Sequence, residues 1–183
     1  MSLIAPRSFV KVFCFFSFFI AALIMQAKGD SVIMKLSSPA FVNQTDIPIL
    51  YTAQGKNISP PLHWTHAPQD TMSFVLICED PDAPGGPFDH WILYNIPPSF
   101  VNIPENFSTL RSGMHSGLNS WGNEGYGGPN PPSGTHRYIF TLYALDTQLD
   151  LPPKIRKKGI LLAMQSHVLA QARLIGRYSK KPI

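Results

Sequence analysis

Cysteine is scarce in this chain of 183 residues, which contains only Cys14 and Cys78. Cys14 lies in an N-terminal segment that we expect to be cleaved off. Cys78 lies in an apolar run, where a buried cysteine behaves as a small hydrophobic residue. The mature chain therefore has no intrachain disulfide. Its stability has to come from a packed core, which a chain of roughly 150 residues can build.

Excess charge is also scarce in the mature chain. The full sequence has fifteen basic and eleven acidic residues, but Arg7, Lys11 and Lys28 fall within its first 29 residues. Without them twelve basic residues face eleven acidic ones, a net charge of +1 with neutral histidines. The chain thus lacks the basic surface that is typical of a nucleic-acid-binding protein, and we expect no nucleic-acid partner.

The N-terminal segment has the pattern of a secretory signal peptide. A positively charged start is followed by fourteen apolar or small residues at 12–25, and Ala27 and Gly29 are small residues suited to a cut after Gly29. A retained membrane anchor is the competing interpretation, but fourteen residues are fewer than the ~20 that span a bilayer. The sequence therefore predicts a signal peptide at 1–29, a single domain at 30–183, and a periplasmic or secreted protein with no membrane span after cleavage.

Long regular segments are absent from a chain with 18 prolines and 13 glycines, and no internal repeat is found. Turn residues bound short runs that are alternating or continuously apolar, as strands are. The stretch from about 97 to 135 contains "SWGNEGYGGPNPPSG" and predicts a long loop, which in a compact domain is usually functional or mobile. Strands are predicted at residues 34–37, 49–51, 73–79, 90–96 and 136–145.

The C-terminal region predicts one short helix followed by a final strand. Apolar residues at 160, 161 and 164 share a helical face within 155–166, and after His167 the apolar residues alternate with a period of two. A single continuous helix is the competing interpretation. Mostly short strands with one late helix predict a mainly β fold, a β-sandwich.

Two segments carry the residues of a candidate site. The first, "DPDAPGGPFDHW" at 80–91, follows a mostly apolar run. It begins with Asp80 and has His90 near its end. The second, "GTHRY" at 134–138, opens a strand in which His136 and Tyr138 lie on one face. If these strands are neighbours, the four side chains form one cluster.

Such a cluster has the chemistry to bind a small anion. A carboxylate near an imidazole favours the protonated ring, and protonated rings together with a phenol donate hydrogen bonds to phosphate oxygens. An aspartate has the further capacity to accept a hydrogen bond from an attached ammonium group. A purely structural interpretation stays open, because Asp-Pro pairs commonly form turns and a single histidine at a strand start is often structural.

The sequence resembles the phosphatidylethanolamine-binding protein family, in particular its bacterial, Raf-kinase-inhibitor-like branch. The resemblance covers essentially the whole mature chain in family order. It is carried by "LSSPAF" (36–41), "NISPPLHW" (57–64), "DPDAP" (80–84), "HWILYNIP" (90–97), "GYGGPNPPSGTHRY" (125–138) and "HVLAQARLIGRY" (167–178).

The resemblance implies a Greek-key β-sandwich with a small anion-binding pocket near one end. The residues that it implies for the pocket are Asp80, His90, His136 and Tyr138, with Pro131 and Asn130 from the proline-rich loop. It implies supporting roles for Asp82 and Arg137. The chain departs from the family pattern at 112–125 and at Arg177, so the resemblance implies the base of the pocket and does not extend to its outer wall.

Metal and hydrolase sites are poorly supported. His63 and His66 are three residues apart, but they lack a third nearby ligand, and zinc requires three or four. A hydrolase lacks its nucleophile, since no G-x-S-x-G turn is present. We therefore expect a protein that is not an enzyme, with no metal and no cofactor.

A protein inhibitor is the main alternative function. The resemblance implies relatives that regulate kinases and proteases, and secretion would leave an extracytoplasmic protease as the accessible partner. The segment 108–125 carries the apolar side chains Met114, Leu118 and Trp121. Exposed apolar side chains on a loop can mark an interface, and the alternative is that the same side chains cover the mouth of the pocket. The first choice remains non-catalytic binding of a small anionic or phosphorylated ligand, and the oligomeric state is left open.

Overall fold

The structure is a computed structural model that describes residues 33–108, 110 and 113–181. The predicted signal peptide at 1–29 lies outside the described residues. Within them, no helix combines the length and the apolar character needed to cross a membrane.

The described residues form nine β-strands, one short 3-10 helix and one α-helix. The 3-10 helix, Ile49–Tyr51, lies between β2 and β3, and the α-helix α1, Lys157–Met164, lies between β8 and β9. In chain order the strands are β1 Lys35–Ser37, β2 Thr45–Asp46, β3 Leu62–Thr65, β4 Ser73–Asp80, β5 Phe88–Ile96, β6 Asn102–Ile103, β7 His115–Ser116, β8 Thr135–Leu145 and β9 Val168–Ser179.

The strands form two sheets, and the predicted mainly β sandwich with one short helix and a final strand is confirmed. One sheet has the order β1-β3-β6 and the other the order β2-β9-β8-β4-β5-β7. β2 pairs with β9 in parallel, and the other pairings are antiparallel. β4 lies between β5 and β8 at the middle of the larger sheet.

β4 is apolar on both faces because both faces are covered. Phe74, Leu76 and Cys78 point into the main core between the two sheets. Val75 and Ile77 point to the opposite face, where they belong to a second cluster that includes residues of α1. A strand buried on both faces reads as a continuous apolar run rather than an alternating one, which is why "FVLIC" at 74–78 is apolar throughout.

The prediction of a strand at 49–51 is wrong, because this segment is the 3-10 helix. Pro48 precedes it, and the Pro48 carbonyl accepts a hydrogen bond from the Tyr51 N–H at 3.0 Å. The next carbonyl, that of Ile49, accepts from Thr52. These local bonds replace the cross-strand bonds that a strand needs.

The other predicted strands are confirmed with small shifts of their ends, and the structure adds strands that the sequence analysis missed. β3 follows two prolines in a segment for which no strand was predicted, and β6 and β7 are two-residue strands inside the predicted long loop. The predicted helix at 155–166 is shorter at both ends. β9 pairs with β8 along almost its whole length, so the final strand is confirmed and the single continuous helix is excluded.

Candidate functional site

The site lies where three neighbouring strands meet at one end of the larger sheet. β4 ends at Asp80, β5 begins two residues before His90, and β8 begins one residue before His136. In the register of the sheet Glu79 pairs with both Asp89 and Ile139. Antiparallel pairing therefore places the end of β4 beside the starts of β5 and β8.

His136 and Asp80 form a buried pair. Nδ1 of His136 lies 2.7 Å from Oδ2 of Asp80, and the two residues are 7% and 4% exposed. The other carboxylate oxygen of Asp80 accepts a hydrogen bond from the backbone N–H of Asp82 at 2.8 Å. Because an ionised carboxylate only accepts, Nδ1 of His136 carries a hydrogen and Nε2 is left for a ligand.

His90 is held by the opposite wall of the site. Its Nδ1 lies 2.6 Å from the carbonyl oxygen of Gly127, and a carbonyl only accepts, so Nδ1 is again the donor. The His90 backbone carbonyl in turn accepts from the Gly127 N–H at 2.9 Å. This pair of bonds attaches the loop that precedes β8 to the start of β5 and leaves Nε2 of His90 free of both.

Burial lowers the pKa of His90 below its ordinary value of 6.5, although Asp80 and Asp89 act in the opposite direction. The expected net increase in the pKa of this histidine beside a carboxylate is therefore wrong, because burial outweighs the carboxylates. The carboxylate of Asp80 is bonded to His136 rather than to His90, and desolvation is the larger effect on a ring that is 4% exposed.

Tyr138 carries a buried hydroxyl that makes no hydrogen bond of good geometry with any described residue. The Asn130 backbone N–H and the Asp80 carboxylate lie close enough to influence its pKa. Burial, followed by the charge of Asp80, raises that pKa far above its ordinary value. The hydroxyl therefore keeps its proton and remains a potential donor.

These side chains line one cavity of about 220 Å³. The structure thus brings together all six residues that the sequence analysis assigned to the ligand site. They are Asp80, His90, Asn130, Pro131, His136 and Tyr138. Their role in binding stays a prediction.

Two further cavity residues are Phe88, which sequence reasoning missed, and Trp121, which it considered only as one of three residues that could mark an interface or cover the pocket mouth. The Trp121 ring contacts Phe88 edge to face, with centroids 4.6 Å apart, and His90, with centroids 5.1 Å apart. Phe88 stands within the quoted "DPDAPGGPFDHW" segment, so position in the chain was a usable signal. For Trp121 the usable signal was an apolar side chain on a loop.

Asp82 and Arg137 fasten the turn after β4 to β8. Oδ2 of Asp82 accepts from the backbone N–H and from Nε of Arg137, both at 2.9 Å, and Oδ1 accepts from the guanidinium at 2.6 Å. The hydrogen bonds from the Arg137 side chain lower the pKa of Asp82 to about 2. Neither side chain lines the cavity, so their geometry is that of supporting residues.

The segment considered for a protease interface exposes fewer apolar side chains than expected. Met114 is 3% exposed and belongs to the main core, and Leu118 is only partly exposed. Of the three, Trp121 is the exposed one, at 48%.

His63 and His66 are both exposed, His63 on β3 and His66 just after it. Within the described part of the chain, no group of three or more His, Cys, Asp and Glu side chains is arranged to hold a metal ion.

Comparisons with known proteins agree with this architecture. The family model for phosphatidylethanolamine-binding protein matches residues 37–179. A UPF0098 protein of Methanothermobacter thermautotrophicus is 49% identical over 150 residues, 80% of this chain and 99% of the relative. A UPF0098 protein of Aquifex aeolicus is 45% identical over 157 residues, 83% of this chain and 92% of the relative.

Two solved structures share the fold. The crystal structure of CT736 from Chlamydia trachomatis, described as a candidate homologue of phosphatidylethanolamine-binding protein, superposes with a TM-score of 0.78 at 41% identity, over 81% of this chain and 99% of that one. YbcL of E. coli, described as a new member of the mammalian family, superposes with a TM-score of 0.76 at 27% identity, over 82% and 100%. The chain therefore belongs to the phosphatidylethanolamine-binding protein family.

Proposed function

We propose that the protein binds a small oxyanion, such as the phosphate group of a larger ligand, in the cavity at the end of β4, and that it does not convert this ligand. The observation that carries the proposal is the convergence of two imidazoles and a phenol hydroxyl from separate strands on one cavity of about 220 Å³. Each of the three has hydrogen-bonding capacity that the described protein leaves unused.

The donors fit an anion better than a cation. The Tyr138 hydroxyl is buried without a hydrogen bond of good geometry, and an oxyanion would supply its acceptor. A protonated His136 would have its charge balanced by Asp80 at 2.7 Å while donating through Nε2. Hydrogen bonds from charged donors are about twice as strong as neutral ones, so a bound anion favours the protonated form of a ring against the burial that lowers the pKa of His90.

The capacity of Asp80 to bind an attached ammonium group is smaller than the sequence analysis anticipated. Its two oxygens already accept from His136 and from the Asp82 N–H. Two of the roughly four lone-pair positions of the carboxylate are thus used, so we expect phosphoethanolamine to bind only modestly more tightly than methyl phosphate.

Binding without conversion is supported by the residues that line the cavity. They include no serine, threonine, cysteine or lysine among the described residues, so the side chains that most often act as nucleophiles are not present there. Cys78 lies in the core, and burial raises the pKa of its thiol well above the ordinary value. Asp80 is already engaged by its two hydrogen bonds and is poorly placed to act as a general base.

Calorimetric titration with sulfate at pH 5.5 and pH 8 tests the proposal. Sulfate keeps the same charge at both pH values, so a change in its affinity reports the protein. We expect tighter binding at pH 5.5, because an imidazole binds more protons there than at pH 8 and a protonated donor bonds an anion more strongly. Equal affinity at the two pH values would reject the role of the protonated rings, and no binding at either would reject the anion site.

We also propose that the protein acts outside the cytoplasm, on the basis of the signal-peptide pattern at 1–29. The mass of the mature protein purified from its natural source tests this, and cleavage after Gly29 leaves residues 30–183. The alternative function, inhibition of an extracytoplasmic protease, loses support because Met114 is buried rather than displayed.

A further inference from the structure

A second groove lies beside the anion cavity, on the other side of Trp121. It has a volume of about 450 Å³ and shares two lining residues with the cavity, Trp121 and Asn130. A ligand whose anionic group occupies the cavity therefore has an adjoining space for the rest of the molecule. Neither the family match nor the fold assigns a ligand to this groove.

The groove is lined by polar side chains with free hydrogen-bonding groups. Asn123, Glu124 and Asn130 are exposed, and none of their side chains is hydrogen-bonded to another described residue. Oδ1 of Asn57 accepts a hydrogen bond from the Gly128 N–H at 2.7 Å, which orients this amide and leaves its two N–H groups free. The groove thus offers both donors and acceptors over a short distance.

Trp121 forms a fixed aromatic wall between the two spaces. Its ring contacts Phe88 and His90 edge to face, and it lies so close to Gly127 that a Cβ there would be 2.4 Å from Cζ3. At the same time the side chain is 48% exposed. A ligand can therefore pack against an indole whose position is set by its neighbours.

We propose that the ligand is a sugar phosphate, with its phosphate in the cavity and its hydroxyl-bearing ring in the groove against Trp121. This inference rests on the proposed anion site. Neighbouring ring hydroxyls both donate and accept, as the amides and the carboxylate of the groove require. The C–H groups of the ring pack on the indole through dispersion contacts. An apolar substituent would instead leave those polar groups without partners.

Calorimetric titration of the full chain with methyl phosphate, phenyl phosphate and glucose 6-phosphate tests the inference. We expect glucose 6-phosphate to bind at least about tenfold more tightly than methyl phosphate, and phenyl phosphate to gain less. The double variant Asn123→Ala/Glu124→Ala should bind glucose 6-phosphate no more tightly than methyl phosphate, with its affinity for methyl phosphate unchanged. The control Asn102→Ala, an exposed amide on β6 of the other sheet, should change neither affinity.

Each outcome separates the two proposals. If methyl phosphate and glucose 6-phosphate both fail to bind the unmodified protein, the anion site itself is wrong. If methyl phosphate binds but glucose 6-phosphate binds no more tightly, or phenyl phosphate gains as much, the sugar-phosphate inference is overturned while the anion site stands. Retention of the glucose 6-phosphate advantage in the double variant also overturns it.

Discussion

The imidazole of His136 and the carboxylate of Asp80 are joined through Nδ1 and Oδ2 at 2.7 Å in a buried position, and this pair fixes which ring nitrogen faces the cavity. His136→Ala removes both the donor to Asp80 and the nitrogen offered to an anion. We expect sulfate binding to be lost and the free energy of unfolding to fall by about 1.5–3 kcal/mol, as for other hydrogen bonds to charged groups. The fold should persist, because the cavity lets water reach the carboxylate.

His167→Ala is the matched control for this prediction. His167 makes the same kind of contact, Nδ1 to Oδ1 of Asp146 at 2.8 Å, but the two side chains are 41% and 45% exposed. An exposed pair contributes at most about 1 kcal/mol, so stability should change little and sulfate affinity should stay the same. Sulfate binding that survives in a folded His136→Ala variant would contradict the site.

Tyr138→Phe removes a buried hydroxyl that has no hydrogen bond of good geometry. Without ligand we expect the variant to be as stable as the unmodified protein or more stable, by up to about 1 kcal/mol, because an unsatisfied buried polar group is lost. With sulfate the order should reverse, since the hydroxyl donates to the anion, and affinity should fall about five- to tenfold. Urea unfolding with and without sulfate measures both effects.

Tyr178→Phe gives the comparison for Tyr138. The Tyr178 hydroxyl is also buried, but it donates to Oε1 of Gln54 at 2.6 Å. Its removal should lower the free energy of unfolding by about 1 kcal/mol and leave sulfate affinity unchanged. If the free energy of unfolding falls equally in the two variants without ligand, the Tyr138 hydroxyl already has a hydrogen-bond partner in the free protein, and this prediction is wrong.

The strands that position the site could be predicted from the sequence because their patterns are strong. β4 is a continuous apolar run that ends in Asp80, and β8 alternates so that His136 and Tyr138 share a face. Both patterns are local properties of the chain, and antiparallel neighbours then bring the strand ends together. The same pattern reading gave a wrong strand at 49–51. The hydrogen bonds of the 3-10 helix found there depend on the conformation of the loop after Pro48, which periodicity does not report.

Trp121 and the protonation of His90 could not be predicted in this way. Trp121 lies beside the cavity because the preceding residue, Ser120, is hydrogen-bonded to Asp89 of β5, and no period in the sequence reports that contact. The two histidines look equivalent in the sequence, yet only His136 is bonded to Asp80. The lowered pKa of His90 depends on burial and on that pairing, which are properties of the assembled fold.

Gly128→Ala should loosen the loop that holds His90 and Asn130. A Cβ at Gly128 would lie 2.4 Å from the backbone oxygen of Tyr51 and 2.9 Å from Cα of Thr52, and backbone atoms have little freedom to move away. We expect the free energy of unfolding to fall by about 1–3 kcal/mol, as for other overpacked positions, and sulfate affinity to fall with it. Urea unfolding and calorimetry measure the two effects.

Gly85→Ala controls for the introduction of a methyl group near the site. Gly85 lies in the turn between β4 and β5, and a Cβ there would meet nothing within 4 Å. We expect a change within about 0.5 kcal/mol, as for other surface substitutions. Equal stability of the Gly128→Ala variant and the unmodified protein would show that the loop moves freely, and would remove the argument that Gly127 holds His90 in place.

The lowered pKa of His90 gives stability a defined dependence on pH. Between the folded pKa and the unfolded value of about 6.5 the unfolded chain binds more protons, so the free energy of unfolding falls as pH decreases through that window. The contribution is fully present above the unfolded pKa and is lost below it.

His90→Asn keeps an amide N–H for the Gly127 carbonyl but cannot be protonated, so its stability should fall less between pH 8 and pH 5. The difference between the two urea-unfolding profiles isolates His90 from the other titrating groups, and parallel profiles would show that His90 is not desolvated as described. Saturating sulfate should shrink the difference, because an anion that binds the protonated ring stabilises the form that burial alone disfavours.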